Sequence, residues 1–191
     1  MSVLATFQDH ARVMAAAADG LAATLEQVAS ELHDCFARGN KLLACGNGGS
    51  ASDAEHLVAE LVGRFKDDRQ ALPALALSAG GTATLTAVAN DYGYEAVFAR
   101  QVEALARPGD LLFAISTSGN SPNVLAAVTA ARARDCRIVG FTGAAGGRLA
   151  ALTDILIAAP SSTTARIQEV HGVCIHAICE SLDRRLGVGQ S

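Results

Sequence analysis

The chain has 191 residues, of which 50% are hydrophobic, 18% charged and 4% aromatic, with no Trp and a formal charge of −4. This composition suits one packed domain with a core of Ala, Leu, Val and Ile, and it excludes a disordered chain. The weak negative charge gives no electrostatic case for a nucleic-acid partner, and no unbroken apolar run is long enough to cross a membrane. The start, Met1-Ser2-Val3-Leu4-Ala5, lacks the basic residues and apolar run of a secretory signal, so the expected location is the cytoplasm. Cys35, Cys45, Cys136, Cys174 and Cys179 are odd in number and form no C-x-x-C pair. They read as small buried apolar residues in a reducing compartment.

From about Val3 to Arg38 the chain reads as helical. An alanine-rich run at Ala15–Ala18 ends at Asp19-Gly20. Leu21, Leu25, Val28 and Leu32 then make one apolar stripe, and Gly39-Asn40 is a stop. That stripe needs a partner, either a sheet or a second copy of the chain. From Lys41 the pattern alternates. Apolar strand-like runs fall at Leu42–Cys45, Leu72–Leu77, Leu111–Ile115, Ile138–Phe141 and Ile155–Ala158. Helical spacing falls at Ser52–Val62, Thr82–Ala89, Tyr94–Ala106, Asn123–Arg134 and Thr164–Leu186. Strands apolar on both faces predict a parallel sheet covered by helices. The predicted architecture is one doubly wound α/β domain over 1–191, with five parallel strands. An N-terminal helical segment (1–38) precedes the α/β core (41–187). Ligands in such sheets sit outside the carboxyl ends of the strands, where the strand order reverses.

The stretch Cys45–Arg64 reads CGNGGSASDAEHLVAELVGR. Gly46, Gly48 and Gly49 end a predicted strand, and a helix follows. A glycine turn at that junction frees backbone N–H groups where the helix dipole also favours an anion. His56 and Glu60, four residues apart, share one side of the helix and form an acid–base or metal-binding pair. The same residues also suit a tight turn, with Ser50 as an N-cap and His56–Glu60 as a solvated pair. No Gly-Lys-Ser/Thr follows, and the spacing is not G-x-G-x-x-G, so a nucleotide loop is not indicated.

A second polar loop, Ser116-Thr117-Ser118-Gly119-Asn120-Ser121, follows the apolar run ending at Ile115 and precedes Pro122, whose fixed φ suits a helix start. Its hydroxyls, together with free N–H groups, can satisfy phosphate oxygens without a lysine. Asn90-Asp91 falls in a turn before Tyr92, as a helix stop or as a contact for sugar hydroxyls. On the last predicted helix Gln168, Gly172 and His176 form one i, i+4, i+8 row, with His171 off it. A Gln and a His aligned on one helix and a His/Glu pair on another can make a four-ligand metal site. His and Glu are ordinary zinc ligands, and a Gln amide is a less common one.

As a set, CGNGGSASDAEHLVAEL, ANDYGYEAVFARQVEAL, AISTSGNSPNVLAA, GFTGAAGG and ARIQEVHGVCIH resemble the sugar isomerase (SIS) fold, and within it the phosphoheptose isomerase family. The resemblance runs from about Lys41 to the end of the last helix. It implies a flavodoxin-like SIS fold and interconversion of sedoheptulose 7-phosphate and D-glycero-D-manno-heptose 7-phosphate at the start of bacterial heptose synthesis. The product of that route serves lipopolysaccharide, a surface-layer glycan or a secondary metabolite. By the same resemblance Asn47, Gly48, Gly49 and Ser50 line the substrate site, Ser116, Thr117, Ser118 and Ser121 hold the phosphate, and Asn90 and Asp91 meet sugar hydroxyls. His56, Glu60, Gln168 and His176 match the family's zinc-binding positions, and Glu60 and His176 match its acid–base pair, with His176 or Glu60 as the carbon base. The family is a homotetramer with shared sites, which gives the N-terminal helix its partner. Arg64 matches an arginine that reaches an adjacent site, although a surface charge at a helix end fits it equally. Some members carry an aspartate where this chain has Ala165.

A non-catalytic relative of the same fold, which binds the bacterial replication initiator, resembles the chain in ARIQE and in the serine loop. Retention of His56, Glu60 and His176 together favours an enzyme. Sugar-phosphate sensing domains are a third reading, but they usually accompany a DNA-binding domain, for which this chain has no room.

Overall fold

The computed structural model describes residues 2–79 and 81–189. Five parallel strands form one sheet: β1 (Leu42–Gly46), β2 (Ala74–Ala76), β3 (Leu111–Ile115), β4 (Arg137–Gly143) and β5 (Ile155–Ala159), in the order β2-β1-β3-β4-β5. Every residue of β1 and β3 is buried, as their unbroken apolar runs require. Alternate side chains feed two cores. Leu42, Ala44, Leu111, Phe113 and Ile115 face one, while Leu43, Cys45, Leu112 and Ala114 face the other.

Among the described residues seven α-helices flank the sheet: α1 (Val3–Ala37), α2 (Gly49–Val62), α3 (Thr82–Tyr92), α4 (Ala99–Leu105), α5 (Pro122–Arg132), α6 (Gly147–Ala150) and α7 (Thr164–Arg185). The first core takes its helical side chains from α1, α2 and α7, and the second takes them mainly from α4 and α5. Asp19-Gly20 does not break α1, which runs unbroken for 35 residues. A glycine inside a helix costs only about 1 kcal/mol, and the helix packs against the core on both sides of it through Val13, Ala17, Leu21 and Val28.

The remaining differences are local. Strand β2 keeps only three residues of the predicted Leu72–Leu77 run, because it is an edge strand entered from Pro73. The predicted helix Tyr94–Ala106 is divided into a 3-10 turn, Tyr94–Ala96, and α4. Helix α2 begins three residues earlier than its spacing suggested, so Gly49 and Ser50 lie in its first turn. The five cysteines are free and buried, and burial pushes the thiols of Cys45, Cys174 and Cys179 up to about 12.

Candidate active site

The strand order reverses between β1 and β3, and the two polar loops leave the carboxyl ends of those strands. In the β1–α2 loop, Gly48 adopts φ 56° and caps the helix. Ser50 is therefore not the N-cap. It is buried in the first turn, where its N–H donates to the Asn47 carbonyl at 3.0 Å. A Cβ at Gly49 would lie 2.4 Å from Nε2 of Gln168, so the glycine lets the α7 amide lie directly on this loop.

The β3–α5 loop matches its predicted form, with Pro122 at the start of α5. The Ser116 and Ser121 hydroxyls are 3.0 Å apart, and Ser118 Oγ accepts the Asn120 N–H at 3.1 Å. Gly119 turns the chain at φ 66°, and its N–H donates to the Ser116 carbonyl. The GFTGAAGG segment braces this loop from β4. Gly143 N–H donates to the Thr117 carbonyl at 2.9 Å, and Leu149 N–H to the Gly119 carbonyl at 2.9 Å. Asn47 links the two loops through a reciprocal amide pair with the buried Asn123, at 2.8 Å in both directions.

Helices α2 and α7 bring His56, Glu60 and His176 together. His56 Nε2 lies 3.1 Å from Glu60 Oε1 and 3.1 Å from His176 Nε2. One ligand atom from each residue lies within 4.8 Å of the other two. The histidine rings meet edge to face at 4.9 Å, and Phe65 packs on His176 at 5.6 Å between centroids. Two imidazole nitrogens and a carboxylate at this spacing are a donor set suited to a divalent transition metal, zinc included. Arg69 fixes the end of α2 that carries Glu60. Its guanidinium donates to the Glu60 and Leu61 carbonyls at 2.6 and 2.8 Å and pairs with Asp183 of α7 at 2.9 Å.

Three further ionisable groups lie near these elements. One turn before His56, Asp53 has a buried Oδ2 with no partner among the described residues, and burial raises its pKa to about 6 against the lowering effect of His56. His171 is fully buried, with Nε2 3.1 Å from the Thr142 carbonyl. Burial pushes its pKa down to about 4, so it is a neutral core residue outside the Gln168–Gly172–His176 row. Asn90 and Asp91 lie in the last turn of α3 and not in a separate turn. Both are exposed, Asn90 Nδ2 donates to Asp91 Oδ1 at 2.8 Å, and Gly93, at φ 87°, ends the helix. Arg64 and Ala165 are exposed.

The SIS domain family model matches residues 7–143. The phosphoheptose isomerase of Thiobacillus denitrificans is 51% identical over 187 residues, covering 96% of this chain and 94% of its own length. The chain belongs to the SIS-domain family, in its phosphoheptose isomerase branch. The solved phosphoheptose isomerase of Neisseria gonorrhoeae superimposes with a TM-score of 0.90 at 45% identity, covering 95% of this chain and 97% of that one. That of Francisella tularensis superimposes with a TM-score of 0.92 at 37% identity, covering 96% and 100%. Residue spacing alone did not reveal Asn123, Arg69, Asp183, Asp53 or Phe65, because each acts through a contact between segments distant in sequence or through burial.

Proposed function

We propose that the chain is an aldose–ketose isomerase that converts D-sedoheptulose 7-phosphate to D-glycero-D-manno-heptose 7-phosphate. The observation that carries this reading is the meeting of His56, Glu60 and His176 in a chain half identical to phosphoheptose isomerases. In this reading the whole chain is one SIS domain. Ser116, Thr117, Ser118 and Ser121 hold the phosphate, while Asn47, Gly48, Gly49, Ser50, Asn90, Asp91 and Gln168 line the sugar.

His176 takes a proton from C1 of the open-chain ketose, exchanges it with solvent and delivers a proton to C2, while Glu60 moves the hydroxyl proton between O1 and O2. Atoms and charge then balance through an enediolate. His56, Glu60, Gln168 and His176 would hold a zinc ion, which when bound supplies electrophilic polarisation of the sugar oxygens.

A homotetramer in the cytoplasm is part of the same reading. A groove of about 590 Å³ between α1 and α7, lined by Met14, Leu21, Leu25, Val173 and Ala177, supports an apolar partner. Val3, Leu4 and Phe7 of α1 are exposed, and α3 has no fully buried residue, with only Leu85, Val88 and Ala89 packing partly on the second core. Among the described residues no helix is long and apolar enough to cross a membrane.

The test is to incubate the purified protein with sedoheptulose 7-phosphate and follow the C1 and C2 signals by NMR, with and without a chelator and added zinc. The expected result is an aldose phosphate whose formation is lost on chelation and restored by zinc. No conversion by a folded oligomer with zinc supplied overturns the reading.

A further inference from the structure

The Asn47–Asn123 pair has a defined polarity. The Val124 backbone N–H can only donate, and it donates to Asn123 Oδ1 at 3.0 Å. This contact assigns the Asn123 oxygen and, with it, the Asn123 amide nitrogen. Asn47 must then turn its nitrogen toward Asn123 Oδ1 and its oxygen toward Asn123 Nδ2, both at 2.8 Å. The Tyr94 hydroxyl, from the 3-10 turn after α3, donates to the same Asn47 oxygen at 3.0 Å.

Asn47 Oδ1 has two lone pairs, and both are now used. Its amide nitrogen has two hydrogens, of which the pair with Asn123 uses the one on the carbonyl side. The other has no partner among the described residues, and amide planarity directs it away from Asn123. Asn123 is 2% exposed, whereas Asn47 is half-buried in the loop beyond β1, so the inner member of the pair is locked and the outer member faces the ligand edge. An unconstrained asparagine at this place offers a sugar either a donor or an acceptor. Here the acceptor is already taken.

We propose that Asn123 and Tyr94 are positioning residues that hold the Asn47 amide as a one-way donor, offering its remaining Nδ2–H to an oxygen of the bound sugar phosphate. The proposal rests on the sugar-phosphate isomerase reading for its ligand. Neither Asn123 nor Tyr94 needs to touch the substrate.

The test compares Asn123→Asp, Tyr94→Phe and Asn47→Asp in the full chain. Asn123→Asp keeps the acceptor for Asn47 Nδ2 and for Val124 N–H but cannot donate to Asn47 Oδ1, so the Asn47 amide is free to turn over. KM for sedoheptulose 7-phosphate is expected to rise about tenfold, in line with one weakened hydrogen bond, with kcat changed less than about threefold. Tyr94→Phe is expected to raise KM about twofold to threefold. Asn47→Asp still accepts from Asn123 and Tyr94 but presents no N–H, and it is expected to raise KM at least as much as Asn123→Asp. Inhibition by inorganic phosphate reads the serine loop alone and is expected to change less than about twofold in all three variants.

Two results overturn the proposal. One is an unchanged KM in Asn123→Asp. The other is a phosphate inhibition constant that rises in step with KM, since Asn123 would then only tie the loops together. The side-chain ¹⁵N signals of Asn47 report the lock without substrate. In the wild type the Asn47 Nδ2 protons are expected to show NOEs to Asn123 and not to the Tyr94 ring, and in Asn123→Asp to both, because turning the amide over brings its nitrogen to the place of the oxygen that Tyr94 contacts. A chain that isomerises the sugar but shows a freely turning Asn47 amide overturns this inference alone. A chain with the locked signals and no turnover overturns the isomerase reading, and the donor role with it.

Discussion

At the amino-terminal edge of the sheet Asp110 is 1% exposed and accepts from Lys41 N–H, Lys41 Nζ, Asn40 Nδ2 and Arg107 N–H. Where α2 packs beside α7, His56, Glu60 and His176 also lie within hydrogen-bond reach, yet two of the three donor atoms there are imidazole nitrogens facing each other at 3.1 Å. The Asp110 cluster pairs one carboxylate with a full set of donors and closes on itself. The histidine cluster brings together lone pairs that satisfy one another poorly and that suit a cation or a proton in transit. Saturated polar groups hold the strands in register, and under-satisfied ones remain available for chemistry.

The largest effect separating the two clusters is on turnover. Glu60→Gln and His176→Gln are each expected to lower kcat by about a thousandfold, the scale of losing an acid–base group, with melting temperature nearly unchanged. Kinetics combined with thermal melting on the same samples checks this. Near-normal turnover in either variant would sink the acid–base assignment.

Asp110→Ala is expected to do the opposite. Removing the carboxylate leaves Lys41, Asn40 and two backbone N–H groups without their acceptor. The expected loss is about 3 kcal/mol of unfolding free energy, with turnover per folded molecule changed less than about twofold. Denaturant titration alongside active-site-normalised kinetics reads both terms. Equal damage to stability and turnover would remove the distinction between the two clusters.

Acid sharpens the contrast at smaller amplitude. Burial alone would raise the Asp110 pKa, but hydrogen bonds from Lys41, Arg107 and Asn40 outweigh it and hold the carboxyl below its ordinary 3.8. Its stabilising contribution is therefore present above that value and lost as pH falls through the lowered one. His171 acts in an earlier window. The unfolded chain takes up its proton near 6.5, while the native chain resists until about 4. Stability should therefore fall as pH drops from 6.5 to 4, by roughly 2–3 kcal/mol. His171→Phe, which keeps a ring against Phe141, is expected to flatten that segment of the stability–pH curve and leave the Asp110 limb in place.

Much of the fold was legible because its signals are local. The unbroken apolar runs at Leu42–Cys45 and Leu111–Ile115 predict buried parallel strands, and both appear with the predicted ends or one residue longer. Edges were less legible. Pro73 and the outer position of β2 shortened a strand that composition alone would extend. In the site, the i, i+4 spacing of His56 and Glu60 shows on the page, but the approach of His56 to His176, 120 residues away, depends on how α2 and α7 pack. Asn123 carries no motif of its own beyond following Pro122. Its role arises only when the reversal of strand order sets β1 beside β3 and brings the Asn47 loop against the start of α5. Arg69 and Asp183 were invisible for the same reason, since their ion pair joins a loop to the last helix.

The central claim is that this site isomerises a sugar phosphate by moving a proton through a base, and solvent isotope tests it most directly. The zinc-loaded protein is incubated with sedoheptulose 7-phosphate in D₂O, and the aldose product and the remaining ketose are examined by NMR and mass spectrometry. Proton transfer through His176 and an enediolate predicts deuterium at C2 of the aldose and its appearance at C1 of recovered ketose, with both absent in His176→Gln. Conversion that carries the C1 hydrogen wholly to C2, with no deuterium in either sugar, would contradict the account and indicate a direct hydride shift.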